Sequence, residues 1–318
     1  MNTASAAAGR SAVVALDPSA AQLRRGFGLG LLGVALFALT IPMTRLASGS
    51  AAAPLLSPWF VAIGRAACAG MLALGYLLAV RAPWPHRRHW PMLALTALGV
   101  VFGFPLFMGL AVVHVDAVHA SVVTGVLPLA TAVLAARWLR QRQRPLFWVL
   151  AWIGLLLVVA FAWWRGGAAL QVADGLLALA LLLGALGYVS GASLSRAMPP
   201  EHVISWVLVL SLPLTLPVAW LARPQAAVPM SAWIGFGYVA LCSMWLGFFA
   251  WYRALALGGT VRVSQVQLLQ PFLSIVAAVP ILGETVDLAT CVFLFAVMGV
   301  VFASRRVASS PPLQGSKP

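Results

Sequence analysis

Ten long apolar runs, separated by short polar stretches, dominate the hydrophobic pattern of the chain. Runs of this length are typical of α-helices that cross the hydrocarbon core of a bilayer. Residues 176–186, LLALALLLGAL, are apolar throughout and lack the alternation of a transmembrane β-strand. The pattern therefore predicts an all-α integral membrane protein with ten transmembrane helices. The predicted spans are about 26–43, 58–80, 92–113, 119–139, 146–164, 175–195, 203–221, 233–256, 262–282 and 288–304.

The second half of the chain repeats the first at a spacing of 143 residues. Residues 120–144 align with residues 263–287, with a proline in the middle of each stretch. We therefore expect two five-helix repeats, 26–164 and 175–306, flanked by disordered tails at 1–25 and 307–318. Because each repeat has an odd number of helices, the second must be inverted in the membrane. The aligned polar and proline positions are Ser121/Ser264, Thr124/Gln267, Pro128/Pro271 and Thr131/Ser274.

A polar stripe marks the fourth and ninth predicted helices. Positions three or four residues apart share one helix face, so the stripe lines a common surface. Interrupted apolar segments at matching places in two repeats are typical of a transporter's binding site. The alternative is that each hydroxyl donates to its own helix and small residues only allow close packing. The predicted binding residues are Ser121, Thr124, Thr131, Ser264, Gln267, Gln270, Ser274 and the nearby Tyr252, and the predicted helix-break or gating residues are Pro128 and Pro271.

Arg65 is a further candidate, because it lies deep within the second predicted helix, about 10 Å from its nearer end. A cation at that depth costs several kcal/mol unless it faces protein, water or an anion. We therefore expect Arg65 to bind a carboxylate or another anionic group of the substrate. The alternative is an arginine that snorkels or pairs with a backbone carbonyl for structural reasons.

Composition and charge support the membrane assignment and predict its orientation. The chain is 62% hydrophobic and 8% charged, which leaves too few polar groups to cover a soluble globule of 318 residues. A net charge of +14 would suit nucleic acid in a soluble protein. With a cytoplasmic N-terminus, however, 15 of the 20 basic residues fall on the cytoplasmic side. This asymmetry follows the positive-inside rule, so we expect cytoplasmic termini and no nucleic-acid partner.

Neither the cysteines nor the acidic residues point to a cofactor. The three cysteines lie in apolar runs, so free buried thiols without a disulfide or a metal are expected. All six acidic residues lie in a tail, a loop or a helix end, which favours facilitated transport or exchange over proton antiport. Asp116 shares one turn with His114 and His119, where the three form either a gate or the ordinary polar content of a turn. The acidic residues are Asp17, Asp116, Asp174, Glu201, Glu284 and Asp287.

Three features carry a resemblance to a known family. The ninth predicted helix ends in Gly283-Glu284, the run Tyr252–Leu255 precedes it, and Arg65 lies in the second helix. From 26 to 306 the chain resembles the ten-helix permeases of the EamA family, in the drug/metabolite transporter superfamily. The resemblance implies two inverted five-helix halves around a central cavity and alternating access of a small metabolite, commonly by export across the inner membrane. The first repeat departs from the pattern, because Arg140-Gln141 stands where many relatives repeat Gly-Glu.

The residues and the resemblance together lead to one hypothesis. The protein is expected to be a secondary transporter that exports a small polar metabolite, such as an amino acid, a nucleoside or an organic acid, across the bacterial inner membrane. We expect no catalysis and no cofactor, and the expected partners are the substrate, the lipid bilayer and a second copy in a homodimer. Three alternatives stay open: an intramembrane enzyme, which would need a nucleophile–base pair or metal ligands within the spans, a lipid translocator and a non-transporting membrane partner subunit. A lipid translocator needs a lateral opening and a greasy cavity, whereas a small-solute carrier needs a closed polar one.

Overall fold

The computed structural model describes residues 20–138, 143–167, 169–258 and 264–308. Most of both predicted tails, and the Arg140-Gln141 departure, lie outside these residues. Where the tails are described, the helices continue past the predicted boundaries, since the first helix begins at Ala20 and the last one ends at Ala308. A helix satisfies its own backbone hydrogen bonds, so it can extend beyond the apolar segment that a bilayer requires.

The described residues form ten main helices, α1 to α10, which confirms the prediction of a multi-helix membrane protein. Eight are long and apolar enough to cross a membrane, and α9 and α10 are shorter apolar helices. The bounds are α1 Ala20–Ser48, α2 Phe60–Ala79, α3 Arg87–Val112, α4 Ala117–Trp138, α5 Pro145–Arg165, α6 Val172–Leu194, α7 Pro200–Leu221, α8 Met230–Ala254, α9 Val266–Leu282 and α10 Leu288–Ala308.

Three of these helices are interrupted. The helix α1 consists of Ala20–Ala38 and Thr40–Ser48. The helix α4 consists of Ala117–Thr124 and Leu127–Trp138. The chain enters α9 through a 3-10 segment, Ser264–Leu269, and becomes α-helical at Gln270. Breaks in α4 and α9 occupy matching places in the two proposed repeats.

The two aligned prolines lie just after these breaks, which differs from the mid-helix position expected from the sequence. Pro128 is the second residue of Leu127–Trp138, and Pro271 is the second residue of the α-helix that starts at Gln270. Proline is tolerated in a first helical turn, because its missing N–H has no partner there. Each proline therefore begins a new helical segment instead of distorting a continuous one.

Wide π-helical turns also recur at matching positions. Ala97–Gly103 in α3 and Val239–Leu246 in α8 are both π-helical. Shifted by 143 residues, the first segment falls on residues 240–246, within the second. A third π-helical turn, Phe60–Gly64, directly precedes Arg65 in α2. Such turns are rare in proteins as a whole, and those that occur often lie at functional sites.

The main helix contacts join the two halves of the chain. The helix α1 packs along α8, and α3 packs along α6. The pairs α2/α7, α4/α9 and α5/α10 also make extensive contacts. Each pair takes one helix from each half, and a swap of the halves converts the α1/α8 pair into the α6/α3 pair. This pattern supports the proposal of two repeats related by an approximate two-fold axis.

The surface of the bundle is apolar, as contact with lipid requires. The helix α5 shows this most clearly, because large side chains such as Leu146, Trp152 and Leu156 are exposed along it. The three cysteines are free, and Cys68 is exposed where a buried thiol was expected. In a bilayer, lipid covers such a side chain, so an apolar run in the sequence does not distinguish burial in protein from contact with lipid.

Candidate functional site

A cavity lies inside the bundle where the interrupted helices meet. Its volume is about 50 Å³, which is enough for a few water molecules. The residues that flank all three helix breaks contribute to its wall, together with the π-helical turns of α3 and α8. The wall consists of Phe37, Thr40, Ile41, Arg65, Val100, Phe104, Ser121, Thr124, Gly125, Leu127, Pro128, Gly184, Tyr188, Ser243, Met244, Phe248, Gln267, Gln270, Pro271 and Ser274.

The spacing of 143 residues between the two proposed repeats recurs in the cavity wall. Several wall residues come in pairs that are 143 positions apart in the chain, so equivalent places of the two halves face the same space. This arrangement is expected if the cavity lies on the approximate two-fold axis. The pairs are Ile41/Gly184, Val100/Ser243, Thr124/Gln267, Leu127/Gln270 and Pro128/Pro271.

Arg65 lies in the cavity wall and is almost completely buried, with 4% of its surface exposed. In the described part of the chain no carboxylate forms an ion pair with it. Its Nε atom has no hydrogen-bond partner either. A buried cation without a counter-ion costs several kcal/mol, so the site favours an anion that enters the cavity.

Two hydroxyl groups of the wall, those of Ser121 and Thr124, donate their protons to backbone carbonyls of α4. Ser121 Oγ donates to the Ala117 carbonyl at 2.6 Å and lies 2.8 Å from Ser274 Oγ. Thr124 Oγ1 donates to the Ala120 carbonyl at 2.7 Å. These oxygens keep lone pairs with which to accept hydrogen bonds. The wall also holds donors for an anion, among them Arg65 and the amides of Gln267 and Gln270.

Eight of the eleven predicted site and gating residues lie in the cavity wall. Two lie outside it, and the side chain of the remaining one is not described. Thr131 only donates to the Leu127 carbonyl at 2.9 Å, as the structural alternative anticipated. Tyr252 is buried against Phe248 and lies outside the wall, about one helical turn further along α8. The side chain of Ser264 lies outside the described residues. The wall residues are Arg65, Ser121, Thr124, Pro128, Gln267, Gln270, Pro271 and Ser274.

The sequence interpretation missed polar wall residues from two other helices. Thr40 Oγ1 of α1 and Ser243 Oγ of α8 lie 2.7 Å apart across the cavity wall. Thr40 follows the break in α1, and Ser243 lies in the π-helical turn of α8. Pro42 is a sequence signal for the break in α1, but nothing in the local sequence marks Ser243 as a wall residue.

A charged cluster closes one end of the bundle. Both oxygens of the Glu284 carboxylate accept backbone hydrogen bonds, from Ala117 N at 2.8 Å and from Val118 N at 2.7 Å. These are the first two residues of α4, where backbone N–H groups have no partner within the helix. The loop after α9 is thereby attached to the start of α4, in the other half.

Ion pairs reinforce this connection. The Arg165 guanidinium lies 3.6 Å from Asp116 Oδ2 and 3.4 Å from Asp287 Oδ2, so it bridges the two halves. Nearby, His119 Nε2 is 2.8 Å from Asp174 Oδ1, and both side chains are buried. Four of the six acidic residues thus gather at one end, although the sequence shows them scattered. Within the described residues, no three His, Cys, Asp or Glu side chains come together to hold a metal ion.

The two carboxylates of the loop after α9 titrate in opposite directions. Burial raises the pKa of Glu284 above its ordinary value, and the bonds from Ala117 and Val118 partly oppose this effect. The neighbouring hydroxyl of Thr290 and the backbone hydrogen bond from Thr290 N lower the pKa of Asp287, and Arg165 adds to this effect. The more buried carboxylate is therefore the easier of the two to protonate.

Comparisons with known proteins match this architecture. A model of the EamA-like transporter family matches residues 171–305. An uncharacterized transporter of Bacillus subtilis (strain 168), YdeK, is 43% identical over 281 residues, which cover 88% of this chain and 96% of that protein. A crystal structure of a protein with 20% identity shares the fold, with a TM-score of 0.59 over 89% of this chain and 98% of the other.

The bundle of apolar helices and these relatives define a multi-pass membrane transporter. The chain belongs to the EamA-like transporter family, which confirms the resemblance found in the sequence.

Proposed function

We propose that the protein is a secondary transporter that carries a small organic anion across the bacterial inner membrane by alternating access, without chemical conversion. The observation that carries this proposal is the cavity between the halves, which holds the buried Arg65 without an anionic partner in the described residues. The cavity also lies at matched helix breaks, which are typical of the binding site of a secondary transporter.

The cavity wall favours a substrate with a carboxylate and an apolar part. Arg65 and the two glutamine amides supply donors for the carboxylate, whereas Ser121 and Thr124 supply acceptors for an ammonium or hydroxyl group. The remaining wall is aromatic and aliphatic, including Phe37 and Tyr188. Amino acids and organic acids therefore fit better than nucleosides, which carry no anionic group for Arg65.

The size of the cavity supports a transport cycle with an occluded state. About 50 Å³ is too small for an amino acid, so the helices must separate before the substrate enters. The breaks beside Pro128 and Pro271 are suitable places for the halves to flex. The distribution of basic residues favours cytoplasmic termini, so export would carry the substrate away from the side of the membrane that holds the termini. A homodimer is compatible with this arrangement.

Uptake into proteoliposomes tests the proposal. The purified protein is reconstituted and supplied with labelled amino acids, organic acids and nucleosides, with and without a pH gradient. We expect saturable uptake of one carboxylate-bearing class, and the effect of the gradient decides between coupling to protons and facilitation or exchange. Uptake of nucleosides alone would contradict the role of Arg65. Transfer of labelled lipid between leaflets, without uptake of solutes, would identify a lipid translocator instead.

Substitution of Arg65 tests the charge of the site. We expect Arg65→Ala to raise the KM for the carboxylate substrate by about tenfold to a hundredfold, because a hydrogen-bonded charge pair is lost. Arg65→Lys should retain part of the transport. Arg223→Ala, at an exposed arginine that stacks on Trp220, is the matched control and should leave the KM unchanged. Equal, full transport by both Arg65 variants would overturn the assignment.

A further inference from the structure

A vestibule opens at the charged end of the bundle, beyond the cavity along α1 and α9. Its volume is about 610 Å³, and Glu284 lies in its wall. The same three helices, α1, α4 and α9, line both spaces or reach from one to the other. In α1, Ile41 lines the cavity and Arg45 lines the vestibule. In α4, Ser121 lines the cavity, and Asp116, just before the helix, lines the vestibule. In α9, Ser274 lines the cavity and Ile281 lines the vestibule.

Only a thin layer of protein separates the two spaces. At 1.5 Å of rise per residue, the cavity and the vestibule are about 6 to 11 Å apart along these helices. Several of the residues in between are small and buried. They include Thr44 of α1, Ala117 of α4 and Ala278 of α9. A modest separation of the three helices would therefore join the cavity to the vestibule.

We propose that the transported substrate passes between α1, α4 and α9 into this vestibule, and that Glu284 is the latch that holds the route closed. The proposal rests on the transport function inferred above. The geometry behind it is the pair of hydrogen bonds, 2.8 Å and 2.7 Å long, from the start of α4 to the Glu284 carboxylate. The acceptor belongs to the second half of the chain and the donors belong to the first, so separation of the halves here breaks both bonds.

A carboxylate suits this role because the strength of the hydrogen bonds that it accepts depends on its charge. The unpaired N–H groups at the start of a helix bind an anion more strongly than a neutral acceptor. The charged groups that act on Glu284 are Asp116, which precedes α4, and Arg45, at the end of α1. Arg165 forms ion pairs with Asp116 and Asp287, not with Glu284. Protonation of Glu284 removes the anion and should weaken the latch.

The sign of the pH effect follows from burial. Because burial raises the pKa of Glu284 above its ordinary value, the proton binds at a less acidic pH than it would to an exposed glutamate. Acidification on the vestibule side is therefore expected to open the route at a less acidic pH than an ordinary glutamate would require. Under the predicted topology, this is the outer side of the membrane.

Cysteine accessibility tests the latch without any substrate. The three native cysteines are replaced, and Ala278→Cys reports on the layer between cavity and vestibule, while Ile281→Cys reports on the vestibule itself. Reconstituted protein is treated from the vestibule side with a membrane-impermeant thiol reagent. We expect Glu284→Gln to increase the labelling rate at position 278 by about tenfold or more, the shift expected when a charge-assisted hydrogen bond is lost. Labelling at position 281 should not change.

Matched variants and pH separate the latch from a general loss of structure. Glu201→Gln removes a carboxylate that pairs with Arg253 at 2.9 Å within the second half, and it should leave labelling at position 278 unchanged. Acidification should raise the ratio of labelling at position 278 to that at position 281 with Glu284 present, but not in Glu284→Gln. If Ala278→Cys does not fold, Thr44→Cys serves as the reporter.

The two proposals can fail separately. Unchanged labelling at position 278 in Glu284→Gln, or an equal rise in Glu201→Gln, overturns the latch even if the protein transports an anion. Increased labelling in Glu284→Gln, together with no uptake of any solute, supports the latch and overturns the proposed substrate class.

Discussion

At the scale of the residue, Arg65 and Glu284 show two ways in which a charge is kept inside or at the edge of an apolar bundle. Arg65 is buried and has no carboxylate partner among the described residues, which supports a ligand that supplies the charge. Glu284 is matched by two backbone N–H groups, which makes it a structural contact. The depth of Arg65 in its span made it predictable, whereas the partners of Glu284 are 166 and 167 positions away.

Asp287 provides a test at the same scale. Its Oδ1 accepts a 2.7 Å hydrogen bond from Thr290 N, so it caps the start of α10. We expect Asp287→Ala to lower the stability by about 1 kcal/mol, the usual cost of a lost helix cap. Because the pKa of Asp287 is lowered, its stabilising effect is complete above the ordinary pKa of an aspartate and is lost as the pH falls through the lowered value.

Thermal unfolding in detergent, measured across a pH series, checks this expectation. The difference between the native chain and Asp287→Ala should be largest near neutral pH and should shrink in strongly acidic buffer. A difference that grew on acidification would contradict the assignment. Asp287→Asn is the control, because its amide oxygen retains the cap while the charge is lost.

At the scale of the element, close approach of helices fixes the position of the cavity. A Cβ atom built on Gly99 of α3 would lie 2.5 Å from the Gly187 Cα atom of α6. The two backbones therefore touch beside Val100 and Gly184, which line the cavity. Small residues allow such contacts between membrane helices, which are stabilised by packing and not by exclusion of water. The local sequence cannot show which of its 28 glycines makes such a contact.

Gly99→Ala tests this packing. The added methyl group meets backbone atoms, which cannot rotate away as a side chain can, so we expect a loss of about 1 to 3 kcal/mol in stability. Gly75→Ala is the control, since a Cβ atom there meets nothing within 4 Å. Thermal unfolding in detergent should show a lower midpoint for the first variant only. Equal midpoints for both variants would show that α3 and α6 can move apart at little cost.

At the scale of the whole molecule, the two ends of the bundle differ in charge and in the contacts that close them. Glu284, Asp116, Arg165 and Asp287 connect the halves at one end. The pair of Glu201 and Arg253, which lies within the second half, is placed at the opposite end by the predicted topology. That topology puts the first group outside and most basic residues inside. The Glu284 contact and the narrow cavity together correspond to a state in which the cavity is closed to the vestibule.

Reporter fusions test the orientation. A periplasmic reporter enzyme fused after Gly167 should be active, whereas the same enzyme fused after Met198 should be inactive, because the positive-inside rule places the two loops on opposite sides. A cytoplasmic fluorescent reporter at the same positions should give the reverse pattern. The reverse result for both reporters would place the vestibule on the cytoplasmic side and would contradict the predicted topology.

Much of the architecture was predictable because a bilayer imposes strong constraints on sequence. Apolar runs gave the ten helices, since only a helix satisfies its backbone within lipid. The spacing of 143 residues directed attention to α4 and α9, which both contribute to the cavity wall. Thr131 and Tyr252 lay outside that wall, because a helical stripe gives the direction of side chains but not the depth at which a neighbouring helix covers them.

The sequence by itself determined the family and the multi-helix membrane fold, and it led to the proposal of an internal repeat, because these depend on composition and on spacing along the chain. Only the tertiary structure decided which residues meet. It brought Thr40 to Ser243, placed the aligned prolines after the breaks, and attached Glu284 to the start of α4. The physical reason is that these contacts join helices from opposite halves, and their partners are chosen by packing, which leaves no periodic signal in either segment.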